Sequence, residues 1–108
     1  MSAPPSFVEV SGEVDMATAP ELRARLLDAI AEGEGAVVVD LAHVDFMDSS
    51  GFAVLVTASQ RLRSAGRDLV VRGARAPVLS AMRMTRLDLV LTLEEPDPAD
   101  GAQAEASS

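Results

Sequence analysis

The run Ala36-Val37-Val38-Val39-Asp40-Leu41 constrains the fold more than any other stretch of this chain. It is β-branched and does not alternate apolar with polar residues, so it does not read as a strand with one wet face. A short run of this kind fits a strand covered on both faces, as in a parallel sheet. Parallel strands need crossover connections, and those are usually helices. The flanking segments supply them.

Before this run, Phe7-Val8-Glu9-Val10 reads as a strand and Ser11-Gly12-Glu13-Val14-Asp15 as a turn. Thr18-Ala19-Pro20-Glu21 opens a helix: Thr18 can cap it, Pro20 suits its first turn, and Glu21 completes a capping box. Leu22, Leu26, Leu27 and Ile30 recur at helical spacing, and Glu21 and Arg25 lie four apart, where they can pair. Gly33 and Gly35 end this helix. After the run, His43 and Asp45 fall in a connection.

A second helix follows Asp48-Ser49-Ser50-Gly51, with Phe52, Leu55, Val56, Ser59 and Leu62 along one side and Ala65-Gly66 as its stop. Asp68-Leu69-Val70-Val71-Arg72 reads as a strand. Pro77 opens a third helix with Val78, Leu79 and Met82 inward, and Leu87-Asp88-Leu89-Val90-Leu91 reads as a last strand. The expected architecture is a single α/β domain: a mainly parallel mixed sheet of about four strands with alternating helices and right-handed crossovers. Its expected limits are residues 6–93. Residues 1–5 form a short Pro-containing lead and residues 94–108 an acidic, Pro-containing tail, both expected to be disordered.

Phe46-Met47-Asp48-Ser49-Ser50-Gly51 is the stretch that can carry chemistry. Small polar residues between two apolar segments make a strand-to-helix turn. Their side chains can accept hydrogen bonds from the free N–H groups of a first helical turn. A well-capped helix start accounts for this spacing, and so does a hydroxyl displayed to carry a phosphate.

Composition removes other chemistries. Cysteine is absent, which excludes disulfides, thiolate catalysis and zinc–sulfur sites. The one histidine, His43, leaves little for a metal site, and no cofactor is expected. A formal charge of −8 argues against binding nucleic acid or an anionic membrane through the overall field. No apolar run approaches the roughly 20 residues that cross a bilayer. The N-terminus lacks the basic and apolar parts of a signal peptide, so the expected location is the cytoplasm.

Four segments resemble the STAS-domain anti-sigma factor antagonists, bacterial partner-switching proteins. Gly12-Glu13-Val14-Asp15 is similar to the family's Gly-Glu-Leu-Asp turn, and Val38-Val39-Asp40-Leu41 to its central strand. Phe46-Met47-Asp48-Ser49-Ser50-Gly51 matches its phosphorylation segment residue for residue. Thr85-Arg86-Leu87-Asp88 resembles its Thr-Gly-Leu-Asp, with Arg86 where Gly is usual. Phe52-Ala53 stands where Leu-Gly is usual, and one strand precedes Gly12 where many relatives have a strand pair.

The resemblance implies a cycle. The unphosphorylated antagonist binds an anti-sigma factor with serine kinase activity and so releases a sigma factor. Phosphorylation of the Ser after the motif's Asp ends the complex, and a serine phosphatase resets it. Carried onto this chain, Ser49 is the phosphoacceptor, Ser50 the helix cap, and Asp15, Asp48, Ser49, Ser50, Gly51 and Phe52 the partner-binding set. Two other roles stay open: an accessory STAS subunit of a membrane transport ATPase, not regulated by Ser phosphorylation, and a serine hydrolase pairing His43 with Ser49 or Ser50. The second lacks a Gly-x-Ser-x-Gly elbow.

Overall fold

The computed structural model describes residues 3–94. Most of the expected lead over 1–5 falls within it, whereas the expected tail lies outside the described residues from 95 onward. The chain runs β1 (Ser6–Val14), α1 (Ala19–Glu32), β2 (Val37–Met47), α2 (Ser49–Ser64), β3 (Leu69–Arg72), α3 (Ala76–Met84), a 3₁₀ turn over Leu87–Leu89, and β4 (Thr92–Leu93). The sheet order is β1-β2-β3-β4. Every pairing is parallel, so the sheet of the described residues is not mixed.

Sequential parallel strands joined by right-handed crossovers place all their helices on one face. The core agrees. Val8, Val10, Val37, Val39, Leu69 and Val71 from the strands form one cluster with Leu26, Leu55, Leu62 and Met82 from the three helices. Val38 is also buried, at 8% exposure, but it stands outside that cluster. Its ladder neighbours Phe7 and Val70 flank it on the opposite face. The Val37–Val39 run is thus covered by helices on one side and by cross-strand neighbours on the other.

β2 does not stop at Leu41. It continues through His43 and Asp45 to Met47, paired with β1 down to Val14↔Met47. Register shifts between Glu9 and Ser11 and between Gly12 and Glu13 absorb the mismatch in length. The second shift adjoins Gly12, whose φ of 79° suits an irregular strand and few other residues. The Ser-Gly pair that reads as a turn is therefore paired strand, opposite extra residues carried by β2, and the chain first turns at Asp15.

The last apolar segment also differs from its reading. Leu87–Leu89 is a 3₁₀ turn, and the strand is only Thr92–Leu93. Leu87 packs on the core and Leu91 is buried within it. On a strand Leu89 would share their face, yet it is 73% exposed, so the three follow helical spacing rather than a period of two. Among the described residues, no helix is long and apolar enough to cross a membrane.

Candidate functional site

The parallel ladder brings two strand-to-helix turns side by side. β1 ends at Val14 and β2 at Met47, which are direct partners. Beyond them the Asp48 amide donates to the Val14 carbonyl at 3.0 Å, so the turns start from a common floor.

Each turn is organised by an aspartate. Asp15 Oδ1 accepts the amides of Ala17 at 2.9 Å and Thr18 at 3.1 Å. Thr18 Oγ1 accepts the Asp15 amide at 2.9 Å and donates to the Glu13 carbonyl at 3.0 Å. The Thr18 hydroxyl thus bonds backward into the turn and makes no cap bond to the helix, and the expected capping box does not form. Glu21 and Arg25 make no ion pair either, although both line the same recess.

At the second turn, Asp48 is the N-cap of α2. Its Oδ1 accepts the amides of Ser50 at 2.9 Å and Gly51 at 3.4 Å. Ser49 is the first helical residue and Ser50 the second, so Ser50 is not the cap. The reason is positional. An N-cap side chain serves the amides two and three residues ahead of it, and Asp48 is the polar residue standing where the chain is still extended, at ψ −173°.

The rest of the expected partner-binding set separates by burial. Ser49 is exposed, and among the described residues no hydrogen bond engages its hydroxyl. Asp15, Asp48 and Ser50 are half-buried. Gly51 and Phe52 lie inside, Phe52 as part of the core. A Cβ on Gly51 would stand 2.6 Å from Met47 Cγ and 2.7 Å from Val14 Cγ1. Gly51 therefore lets the first turn of α2 sit directly on the strand ends, and Phe52 anchors that turn from below. Both position Ser49 instead of presenting a surface of their own.

His43 does not join this site. It stands exposed on β2 in register with Ser11, four residues before the strand ends. At about 3.3 Å per residue that is roughly 13 Å short of the strand end. No hydrogen bond of the described residues links it to Ser49 or Ser50, so no His–Ser pair is assembled. Among the described residues there is also no group of His, Asp and Glu that could hold a metal ion.

Phe46 and Met16 are exposed apolar residues of this same end that the sequence reading left without a role. Their signal was present, since Met16 follows Asp15 directly and Phe46 stands two residues before Asp48. Their exposure depends on the bulged register and could not be read from spacing.

A parallel sheet, one helical layer, and an exposed serine beside the Asp48 N-cap at the end of β2 agree with an STAS domain. A family model described as "Mlab, STAS domain" matches residues 2–93. The chain belongs to the STAS-domain family of anti-sigma factor antagonists. It is 32% identical over 88 residues to an anti-sigma-B factor antagonist of Staphylococcus epidermidis, covering 82% of each chain. It is 33% identical over 86 residues to an anti-sigma-B factor antagonist of Listeria monocytogenes, covering 79% of this chain and 75% of that one. Among solved structures it resembles an anti-sigma factor antagonist from Mycobacterium paratuberculosis, with a TM-score of 0.75 and 33% identity over 93% of this chain and 84% of that one.

Proposed function

We propose that this chain is an anti-sigma factor antagonist whose partner is an anti-sigma factor with serine kinase activity. With a free Ser49 hydroxyl it binds that partner and releases a sigma factor. Phosphorylation of Ser49 by the same kinase ends the complex, and a serine phosphatase restores it.

One observation carries the reading: Ser49 is exposed, with a hydroxyl free of hydrogen bonds, at the head of a helix whose cap is made by its neighbour Asp48. The acceptor can be modified without breaking any bond that holds the fold. A phosphoserine adds about −1.5 to −2 charges at pH 7. The helix dipole favours that charge. However, Asp48 already occupies the Ser50 and Gly51 amides, so the phosphate meets a carboxylate that shares its donors. A partner surface seated on Ser49 would have to desolvate both. A loss of about 1.4 kcal/mol is already tenfold in affinity.

The test is phosphorylation by each purified anti-sigma factor kinase of the native host, read by intact mass and peptide mapping. One phosphate on Ser49, absent from a folded Ser49→Ala chain, is expected. A label that persists on residues 49–50 of that variant overturns the assignment. No label from any such kinase, with recovery of a transport ATPase subunit from cells instead, overturns the function.

A further inference from the structure

Five large apolar side chains stand out from the described surface: Phe7, Met16, Phe46, Met84 and Leu89. Single exposed apolar residues need no explanation. Their distribution over the two ends of the sheet does. Phe7 lies near the start of β1, Met84 closes α3, and Leu89 precedes β4, all toward the end where the strands begin. Met16 and Phe46 lie at the opposite end, where the strands finish and Ser49 is displayed.

The ladder fixes how close these two come to Ser49. Phe46 pairs with Glu13, Met47 with Val14, and Asp48 bonds to Val14. Met16 follows Asp15 in the first turn, and Ser49 follows Asp48 in the second. Met16 is 78% exposed and Phe46 is 50% exposed, so each keeps much of its apolar surface in water at the end of the sheet that displays the acceptor serine.

The same end is acidic. Glu13, Asp15, Asp45 and Asp48 surround the two apolar residues in sequence and in register. Of these only Asp45 is in an ion pair, with Arg75 at 2.8 Å. Arg25 lines the recess beside Glu13 without pairing to it.

We infer that Met16 and Phe46 are the apolar anchors of the surface that docks the anti-sigma factor, and that the partner meets them with apolar pockets rimmed by Arg or Lys. This rests on the function proposed above and adds to it which residues hold the partner and what chemistry the partner brings. Met and aromatic residues are enriched at the centres of interfaces, and a few such anchors carry most of the affinity. Carboxylates around them steer a cationic rim and make association salt-dependent. The arrangement also gives the switch its lever. A phosphate on Ser49 stands at the same end of the sheet as the anchors, so a partner that covers this end to bury them must also desolvate it.

The experiment is calorimetric titration of the unphosphorylated chain with each purified anti-sigma factor kinase of the native host, without ATP. Met16→Ala and Phe46→Ala should each weaken binding at least tenfold with an unchanged thermal midpoint. Phe46→Leu should stay within threefold of the parent. Phe7→Ala and Met84→Ala, at the other end, should change affinity less than twofold. Glu13→Gln should flatten the dependence of affinity on salt, whereas Phe46→Ala should leave that slope unchanged. If the parent chain binds a kinase and the Met16→Ala/Phe46→Ala double variant binds within threefold of it, the anchors are wrong and the proposed function stands. If the parent chain binds none of these kinases, the proposed function falls and the anchors fall with it.

Discussion

The Asp48 amide donates to the Val14 carbonyl at 3.0 Å, while the Asp48 carboxylate accepts the amides of Ser50 and Gly51. One residue therefore closes the β1–β2 ladder through its backbone and opens α2 through its side chain. The position of Ser49 follows from that double attachment, because Ser49 is the next residue and has little freedom of its own.

Asp48→Ala should cost about 1 kcal/mol of stability, the usual loss for an N-cap truncated to Ala. Asp48→Asn keeps an acceptor oxygen and should cost only a few tenths. Urea denaturation of the three chains separates these outcomes. The Asn variant has a second consequence. Because the Asp48 carboxylate crowds a phosphate on Ser49, phosphorylation should lower the thermal midpoint of the parent chain more than that of Asp48→Asn. Equal shifts in both backgrounds would show that the phosphate points away from Asp48.

Gly51→Ala tests how tightly α2 sits on the strand ends. Exchanging Gly for Ala within a helix ordinarily gains roughly 0.5–1 kcal/mol. Here the added methyl would meet Met47 Cγ at 2.6 Å and Val14 Cγ1 at 2.7 Å. Met47 can swing aside, but Val14 is β-branched and stiff. Overpacking of this kind costs about 1–3 kcal/mol, so a net loss is expected in urea denaturation. The helix start should also move, and the rate of Ser49 phosphorylation should fall. A Gly51→Ala chain as stable as the parent would mean that the contact relaxes freely.

Much of this was legible in the sequence. Asp48-Ser49-Ser50-Gly51 marked a helix start between two apolar segments, and the alternation of strand and helix patterns gave a parallel sheet. What sequence could not give was everything decided by register. Ser11-Gly12 has the composition of a turn, yet pairing with a long, bulged β2 holds it in a strand. Ser50 and Asp48 are both good caps by residue type, and only the extended backbone at Asp48 decides between them. Leu87 to Leu91 is apolar enough for a strand, but the 3₁₀ turn that follows the left-handed Arg86 keeps Leu87 and Leu91 on the core and leaves Leu89 exposed.

Arg67 was another blind spot, because its partners lie more than thirty residues away. Its Nε donates to the Gly35 carbonyl and its Nη1 to the Ile30 carbonyl, both at 2.9 Å. It thereby satisfies a carbonyl in the last turn of α1 and ties the α1–β2 connection to the α2–β3 turn. Hydrogen bonds from a charged donor are worth about 1.5–3 kcal/mol each. Two such bonds give about 3–6 kcal/mol, and the Nη2 buried without a partner offsets part of that, so Arg67→Ala should lose roughly 2–4 kcal/mol. Arg67→Lys should recover less than half of it, because one ammonium cannot reproduce a planar fork aimed at two carbonyls. Thermal and urea midpoints of the pair check both statements, and full recovery by Lys would reduce the role of Arg67 to its charge.

Arg86 makes the opposite prediction, a substitution that stabilises. It is the only non-glycine residue among those described with positive φ, at φ 61° and ψ 24°. The left-handed region costs an L-residue with a Cβ roughly 1–2 kcal/mol. The side chain is exposed and makes no ion pair that would offset this. Glycine, which the family pattern Thr-Gly-Leu-Asp carries here, removes the strain but loosens the unfolded chain by about 0.4–1 kcal/mol. The difference leaves Arg86→Gly more stable by about 0.5–1 kcal/mol. In a domain of this size 1 kcal/mol moves the thermal midpoint by about 4–8 °C, so a rise of a few degrees is expected in calorimetry. Arg86→Ala should gain almost nothing, since Ala keeps the Cβ that causes the strain. If Gly and Ala behave alike, the strain at residue 86 is not what limits stability there.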